Sequence, residues 1–466
     1  MTDLLADAVR RAPGAIAADD GQRRWSWAEL DREARGWEAR LRDAGARRGR
    51  AVALALHPGL EALAALHGAL RTGSLVAPLD PTLTAAEHGD ALDALRPAVL
   101  VDGRGLHPGP GGATAERPVD APGDLVLWTS GTSGRPRGVL LTLDGLRASA
   151  EGARLRLRLA PDDVWYASLS PAHVGGLALL TRAAILGCGL HLRGRFSLDD
   201  LVALIDAGAV THASLVPTML LRLLDARGDT PAPATLRCLL IGGAHTPPEL
   251  ARRALDAGLP IALTYGMTEA SSQIATAPPD EVAADPTSVG RPLPGVDVEI
   301  DEEGGLRVRG VTLSPGLLGG EPLTDTDGWL ETGDVAEWTA DGRLRIVGRR
   351  SDRIVSGGVT VDAREVESAL RAQPGVREAC VVGVPDAVWG ERVAALVVGG
   401  ADPDALEGAL RHRLSPAKRP RVIRSAEALP LNRNGKVDRA AVRALFTHGP
   451  GGPPSPERGA PGHGHR

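Results

Sequence analysis

Residues 125–138 read LVLWTSGTSGRPRG, an apolar run that breaks into small hydroxyls and glycines and then into arginine. The opening residues read as a buried strand. Thr129, Ser130, Gly131, Thr132, Ser133 and Gly134 follow, with Arg137 just beyond. Glycine lets the backbone come close to a ligand, and successive N–H groups with hydroxyls can surround phosphate oxygens. Arg137 adds a positive charge for the same purpose. The order is not the G-x-x-x-x-G-K-[ST] of a Walker A loop, and taken alone the stretch reads equally well as a flexible Ser/Gly turn. The surrounding pattern therefore decides.

Outward from this segment the chain alternates. Continuous apolar runs occur at 52–56 (VALAL), 76–83 (VAPLDPTL), 98–103 (AVLVDG), 211–217 (THASLVP), 236–243 (LRCLLIGG) and 261–266 (IALTYG). Helical spacing lies between most of them, as at 24–46, ending in a Gly-containing turn, and at 60–73, with a glycine stop. Alternation of apolar strands with helices predicts an α/β fold of parallel sheets covered on both faces. From about residue 287 short strands and turns take over, as in VDVEIDEEGGLRVRG and GRLRIVG, which predicts a β-rich subdomain. Alternation returns over 353–446, with a helix at 362–372, a strand at 379–384 and a helix near 403–414. The expected division is a large domain over 1–351, a small α/β domain over 352–446, and a Pro/Gly-rich tail over 447–466 without apolar periodicity. That tail is expected to be disordered.

Composition narrows the function. The chain has 466 residues, a hydrophobic share of 43%, a charged share of 24% and a net charge of −5, the profile of a globular protein. The charge speaks against nucleic acid as a partner. No apolar run reaches the length of a membrane span. Cys188, Cys238 and Cys380 are too scattered for a metal pattern or a disulfide framework, and such usage fits the reducing cytosol. Arginine is abundant, yet lysine occurs only at Lys418 and Lys436. A compact ammonium differs as a tool from a planar guanidinium, so a surviving lysine draws notice. For Lys418, inside AKRPR, chance is at least as good a reading.

The TSGTSGRPRG loop resembles the signature loop of the adenylate-forming superfamily, which includes acyl-CoA synthetases, adenylation domains and luciferases. Further motifs of that family follow in order: TYGMTE at 264–269, TGD at 332–334, GRRSDRI at 348–354 and LPLNRNGK at 429–436. The resemblance implies a large N-terminal and a small mobile C-terminal domain, with ATP, Mg²⁺ and coenzyme A taking part. It makes Tyr265 an adenine-stacking ring, Thr268 a phosphate contact and Glu269 a Mg²⁺ ligand, and it adds Gly243, Ala244 and Gly266 to the nucleotide site. Asp334 would accept hydrogen bonds from the ribose hydroxyls, supported by Arg349. Lys436 matches the catalytic lysine, whose ammonium would stabilise charge building at the α-phosphate. Asp352 corresponds to the hinge, and Ser356, Gly357 and Gly358 would line the path of the thiol after the C-terminal domain swings. The family's Glu-Asn-Ile-x-Pro type run is replaced here by Val359, Thr360, Val361, Asp362 and Ala363. Nothing after residue 446 resembles a carrier domain, which favours free coenzyme A over a tethered pantetheine; a carrier acting in trans stays open.

Residues 168–202, together with SLVPT and SSQIAT, resemble one branch of the family, the 2-succinylbenzoate–CoA ligases of menaquinone synthesis. On that resemblance His173 would act beside the substrate and phosphate loop. Ser214 and Gln273 would offer hydrogen bonds to a polar aromatic acid. The branch's aromatic before this histidine is Ala172 here. A structural histidine is the alternative for His173. Two alternatives stay open for the chain: a ligase for another aryl or acyl acid, and a non-catalytic nucleotide-binding scaffold. The presence together of Glu269, Asp334 and Lys436 argues against the scaffold. Oligomeric state is not legible.

Overall fold

In the computed structural model, which describes residues 3–83, 85–111, 123–130, 136–228, 230–350, 353–356, 359–386, 388–411, 413–432 and 435–447, the apolar runs become the inner strands of two sheets. One sheet has six strands in the order Gly105–Pro108, Val99–Asp102, Ala51–Leu54, Leu75–Pro78, Leu125–Ser130 and Pro136–Leu141. Its four inner strands are parallel and the two outer ones antiparallel. Ala51–Leu54 and Leu75–Pro78 are buried at every position, which is why they lack an alternating pattern.

The second sheet has nine strands: Arg291–Pro292, Ser272–Ala277, Ile261–Met267, Cys238–Ile241, His212–Leu215, Val164–Ala167, Gly189–Leu192, Ile16–Asp19 and Arg24–Ser26. It is parallel from Ile261–Met267 through Ile16–Asp19 and antiparallel at its edges. One apolar cluster joins the two sheets, with Val52 and Leu127 from the first and Trp165 and Leu190 from the second. The helical reading of 24–46 is corrected at its start. Arg24–Ser26 pairs with Ile16–Asp19, and the helix is Trp27–Asp43, opened by a capping box between Ser26 and Glu29. The helix Leu60–Thr72 stops where Gly73 turns left-handed at φ +76°.

The β-rich region forms a four-stranded sheet in chain order: Val296–Ile300, Gly305–Gly310, Leu330–Trp338 and Leu344–Arg349. Contacts divide the chain between Val347 and Gly348. Residues 351, 352 and 448–466 lie outside the described residues, and with them the expected boundary, hinge and tail.

Taken by itself, the second unit holds a sheet ordered Val359–Asp362, Arg353–Ser356, Gly390–Gly399 and Val376–Asp386, with Val422–Ala426 also beside Gly390–Gly399. The expected strand at 379–384 is longer, Val376–Asp386, and forms an antiparallel hairpin with Gly390–Gly399. The helix expected near 403–414 ends at Leu410. Among the described residues, no helix is long and apolar enough to cross a membrane.

Candidate active site

In an open parallel sheet, ligands gather at the carboxyl ends of the strands, where loops diverge. The nine-stranded sheet puts most of the expected site there. Ser214 precedes the last residue of His212–Leu215. Gly243 and Ala244 follow Cys238–Ile241, with Gly243 at φ +79°. His173 follows Val164–Ala167 by six residues and caps the helix Val174–Leu186 without a side-chain bond to it. Gly176 lets the preceding loop close onto this helix, since a Cβ there would meet the carbonyl of Ser170.

The TYGMTE motif sits where Ile261–Met267 turns back into Ser272–Ala277. The pairing slips between Tyr265 and Gly266, and a Cβ at Gly266 would drive into the Ser272 carbonyl oxygen. Ser271 and Ser272 take left-handed conformations, φ +51° and +103°, to complete the turn. Strained backbone of this kind clusters at functional sites. Thr268 and Glu269 lie on the short 3₁₀ turn Thr268–Ala270. Two braces hold that turn: Ser314 N–H donates to the Glu269 carbonyl at 2.7 Å, and the Ser271 hydroxyl donates to the Thr312 carbonyl at 2.6 Å. Sequence reasoning missed both, because their partners come from a loop some forty residues away.

The TGD motif is a bulge. Gly305 faces Val335 while Arg307 faces Glu331, so Thr332, Gly333 and Asp334 loop out of the ladder. The Thr332 hydroxyl donates to the Leu306 carbonyl at 2.8 Å and accepts from Asp334 N–H at 3.1 Å, while Gly333 turns at φ +73°. The Asp334 carboxylate, on a residue only 4% exposed, accepts a hydrogen bond from the Tyr265 hydroxyl at 2.5 Å. The expected adenine ring and ribose acceptor are thus neighbours.

The phosphate segment is a β-hairpin. Leu125–Ser130 pairs with Pro136–Leu141, and Thr129 lies opposite Arg137. The strand after the loop was not read from the sequence, though its GVLL run carries the signal. Gly131, Thr132, Ser133 and Gly134 lie outside the described residues, as does the side chain of Ser130.

Within the second unit, Lys436 closes a tight turn. Its N–H donates to the Asn432 side chain at 3.1 Å, its carbonyl accepts from Asn432 N–H at 2.7 Å, and Gly435 sits at φ +72°. Burial, and then repulsion from Arg349, hold the Lys436 ammonium below the usual lysine range. Lys418 instead pairs with Glu365 at 2.6 Å. Ser356 ends the strand Arg353–Ser356 and is buried; Asp352, Gly357 and Gly358 lie outside the described residues. Asp362, in the run that departs from the family, caps the helix Ala363–Arg371 by accepting from Arg364 N–H.

In the expected acyl pocket Ser214 is 7% and Gln273 2% exposed, and the Gln273 amide oxygen finds no hydrogen-bond partner among the described residues. An orphaned buried acceptor is costly unless something arrives to meet it. A half-turn of the amide exchanges acceptor for donor. Ala172 is buried. For Mg²⁺, the described residues hold no cluster of three or more His, Cys, Asp or Glu. Glu269 is half-buried on its turn. One carboxylate with nucleotide phosphates is how Mg²⁺ is commonly held, so the donor set fits. A surface cavity of about 420 Å³ lies elsewhere, between the helices Pro217–Arg227 and Pro248–Asp256.

The family described as AMP-binding enzyme matches residues 5–122 and 108–318, and its C-terminal domain matches 365–436. The chain belongs to the AMP-binding enzyme family, the class of ATP-dependent ligases that activate a carboxylate as its adenylate. Among relatives, the 2-succinylbenzoate–CoA ligase of Geobacillus kaustophilus is 34% identical, over 96% of this chain and 98% of that protein. The enzyme of the same name from Bacillus licheniformis is 32% identical over 92% and 96%. Among solved structures, o-succinylbenzoate CoA synthetase from Bacillus subtilis, in complex with its acyl-adenylate intermediate, superimposes with a TM-score of 0.84 at 27% identity, covering 95% of this chain and 98% of that one. ATP-bound MatB from Rhodopseudomonas palustris gives the same TM-score at 25% identity and the same coverage. Fold alone therefore does not choose the acid.

Proposed function

We propose that this chain is a 2-succinylbenzoate–CoA ligase working in two half-reactions. In the first, a carboxylate oxygen of the acid attacks the α-phosphorus of ATP and the bond to pyrophosphate breaks. In the second, the coenzyme A sulfur attacks the acyl carbon, the bond to AMP breaks, and the thiol proton leaves to solvent. The observation that carries the choice of acid is the near full-length relationship to ligases of that name. The buried Gln273, whose amide oxygen is unmatched among the described residues, adds a physical reason, since an apolar chain would leave that oxygen unpaired.

The proposed roles rest on the family motifs, and the placement of the described residues within their unit supports them. Tyr265 and Asp334 bind the nucleoside, and Thr129, Ser130, Arg137 and Thr268, with the 131–134 loop, bind its phosphates. Gly243, Ala244 and Gly266 let the backbone lie close to the nucleotide. Lys436 offsets negative charge at the α-phosphate as it is attacked, and Arg349 supports the ribose beside Asp334. His173, at the positive end of its helix, faces the acid's carboxylate. A Mg²⁺ held by Glu269 and the phosphates would screen phosphate charge. Asp352 is the hinge, and Ser356, Gly357 and Gly358 line the thiol path.

The test is a panel of carboxylic acids, with 2-succinylbenzoate, benzoate and decanoate, scored for CoA thioester by mass. Succinylbenzoate should have the highest kcat/KM, and Gln273→Leu should raise its KM by about tenfold while leaving that for ATP within about twofold. Faster turnover of benzoate or decanoate would overturn the acid and leave the adenylate chemistry standing. Ala172, where the branch has an aromatic, favours one second reading, an acid with a bulkier ring, which a naphthoate added to the panel would reveal.

A further inference from the structure

We propose that Tyr265 sets the ribose selectivity of the nucleotide site through its hydroxyl, by holding the Asp334 carboxylate in the orientation that meets the sugar. The inference rests on the nucleotide reading above and adds to it a residue-to-residue dependence. A stacking ring needs no hydroxyl; phenylalanine would stack as well. The hydroxyl of Tyr265 is spent on Asp334 Oδ2 at 2.5 Å, the short distance of a charge-assisted bond. The bond reaches from Ile261–Met267 in the nine-stranded sheet to Leu330–Trp338 in the four-stranded one.

Each end of this bond is itself fixed. Tyr265 is aimed by the slipped register at Gly266, where no side chain fits. The Asp334 backbone is pinned on its bulge by the Thr332 hydroxyl. The phenol restrains rotation of the carboxylate about its own side-chain bonds. A carboxylate has about four acceptor positions, so a bond from Tyr265 is compatible with bonds from ribose hydroxyls. A group held in its binding orientation beforehand loses less entropy when the ligand arrives. Tyr265 is thus a positioning residue for Asp334, apart from any contact of its ring.

The experiment is calorimetry of AMP and 2′-deoxy-AMP on the full-length wild type, Tyr265→Phe, Asp334→Asn and the double variant, with melting temperatures alongside. Wild type should prefer AMP. Tyr265→Phe should weaken AMP by about tenfold, the scale of one hydrogen bond to a charged group, and 2′-deoxy-AMP, which keeps one of the two hydroxyls, by clearly less. The double variant should bind no worse than Asp334→Asn alone. Tyr265→Leu, which removes the ring too, should weaken both nucleotides further. Two results would overturn the proposal while the nucleotide reading stood: Tyr265→Phe binding both nucleotides like wild type, or losing both equally with a lowered melting temperature. Wild type binding neither nucleotide would overturn the nucleotide reading itself. Wild type that binds both equally, with Asp334→Asn unchanged, would remove the ribose role of Asp334 and this proposal with it.

Discussion

Lys436 and Lys418 divide the chain's lysine chemistry between them. Lys418 sits in a partly exposed ion pair with Glu365, of a kind worth little in water. Lys418→Ala should change stability by no more than about 0.5 kcal/mol, measured by urea unfolding. Lys436 has no carboxylate partner among the described residues, and its proton is held more weakly than usual. Lys436→Ala should cut pyrophosphate release by about 10² to 10³ while sparing thioester formation from supplied acyl-adenylate. Equal loss in both assays would place the lysine elsewhere in the reaction. Because its charge is lost at a lower pH than an ordinary lysine's, adenylation should decline on the alkaline side below the normal lysine range. Lys436→Arg should push that decline upward, read from the pH profile of pyrophosphate release.

At the level of elements, the hairpin Ile261–Met267/Ser272–Ala277 carries the tightest requirement. Gly266→Ala has no room against the Ser272 carbonyl and should cost several kcal/mol or abolish ATP binding, read by melting temperature with and without nucleotide. Asp362→Ala removes a helix cap and should cost about 1 kcal/mol. The inner strands were legible in sequence because burial on both faces leaves unbroken apolar runs, as at 51–54 and 238–241. Edge strands such as Gly105–Pro108 were not, since a half-solvated strand of four residues has no such run. The site was legible as motifs, each tied to a turn that needs particular residue types. Its cross-links were not. Nothing near Tyr265 in sequence announces Asp334, 69 residues on, and the braces from Thr312 and Ser314 depend equally on tertiary placement.

On the scale of the whole molecule, two buried imidazoles tie stability to pH. His67 is held down to about 4 by burial and Arg71, and His212, stacked on Trp165, to about 3 by burial, Arg237 and Arg182. Both are neutral in the fold, whereas the unfolded chain protonates them below about pH 6.5. Their contribution is therefore complete above that pH and is lost as pH falls from there towards 4. At pH 5 the loss should be on the order of 1–2 kcal/mol for each, and His67→Gln or His212→Gln should flatten the dependence in urea melts at pH 5 and 7. For the two half-reactions, Asp352→Pro should trap one arrangement, so that pyrophosphate release or thioester formation survives without the other; normal rates for both would exclude Asp352 as the hinge. The placement of Ile16–Asp19 beside Gly189–Leu192 has a consequence for synthesis. The ribosome delivers the first partner about 170 residues before the second, and the entire six-stranded sheet lies between them in the chain. At roughly 5–20 residues per second, that early strand waits on the order of ten seconds or more for its neighbour. A nascent chain stalled in this window exposes an apolar edge, and it is there that chaperones should find their hold.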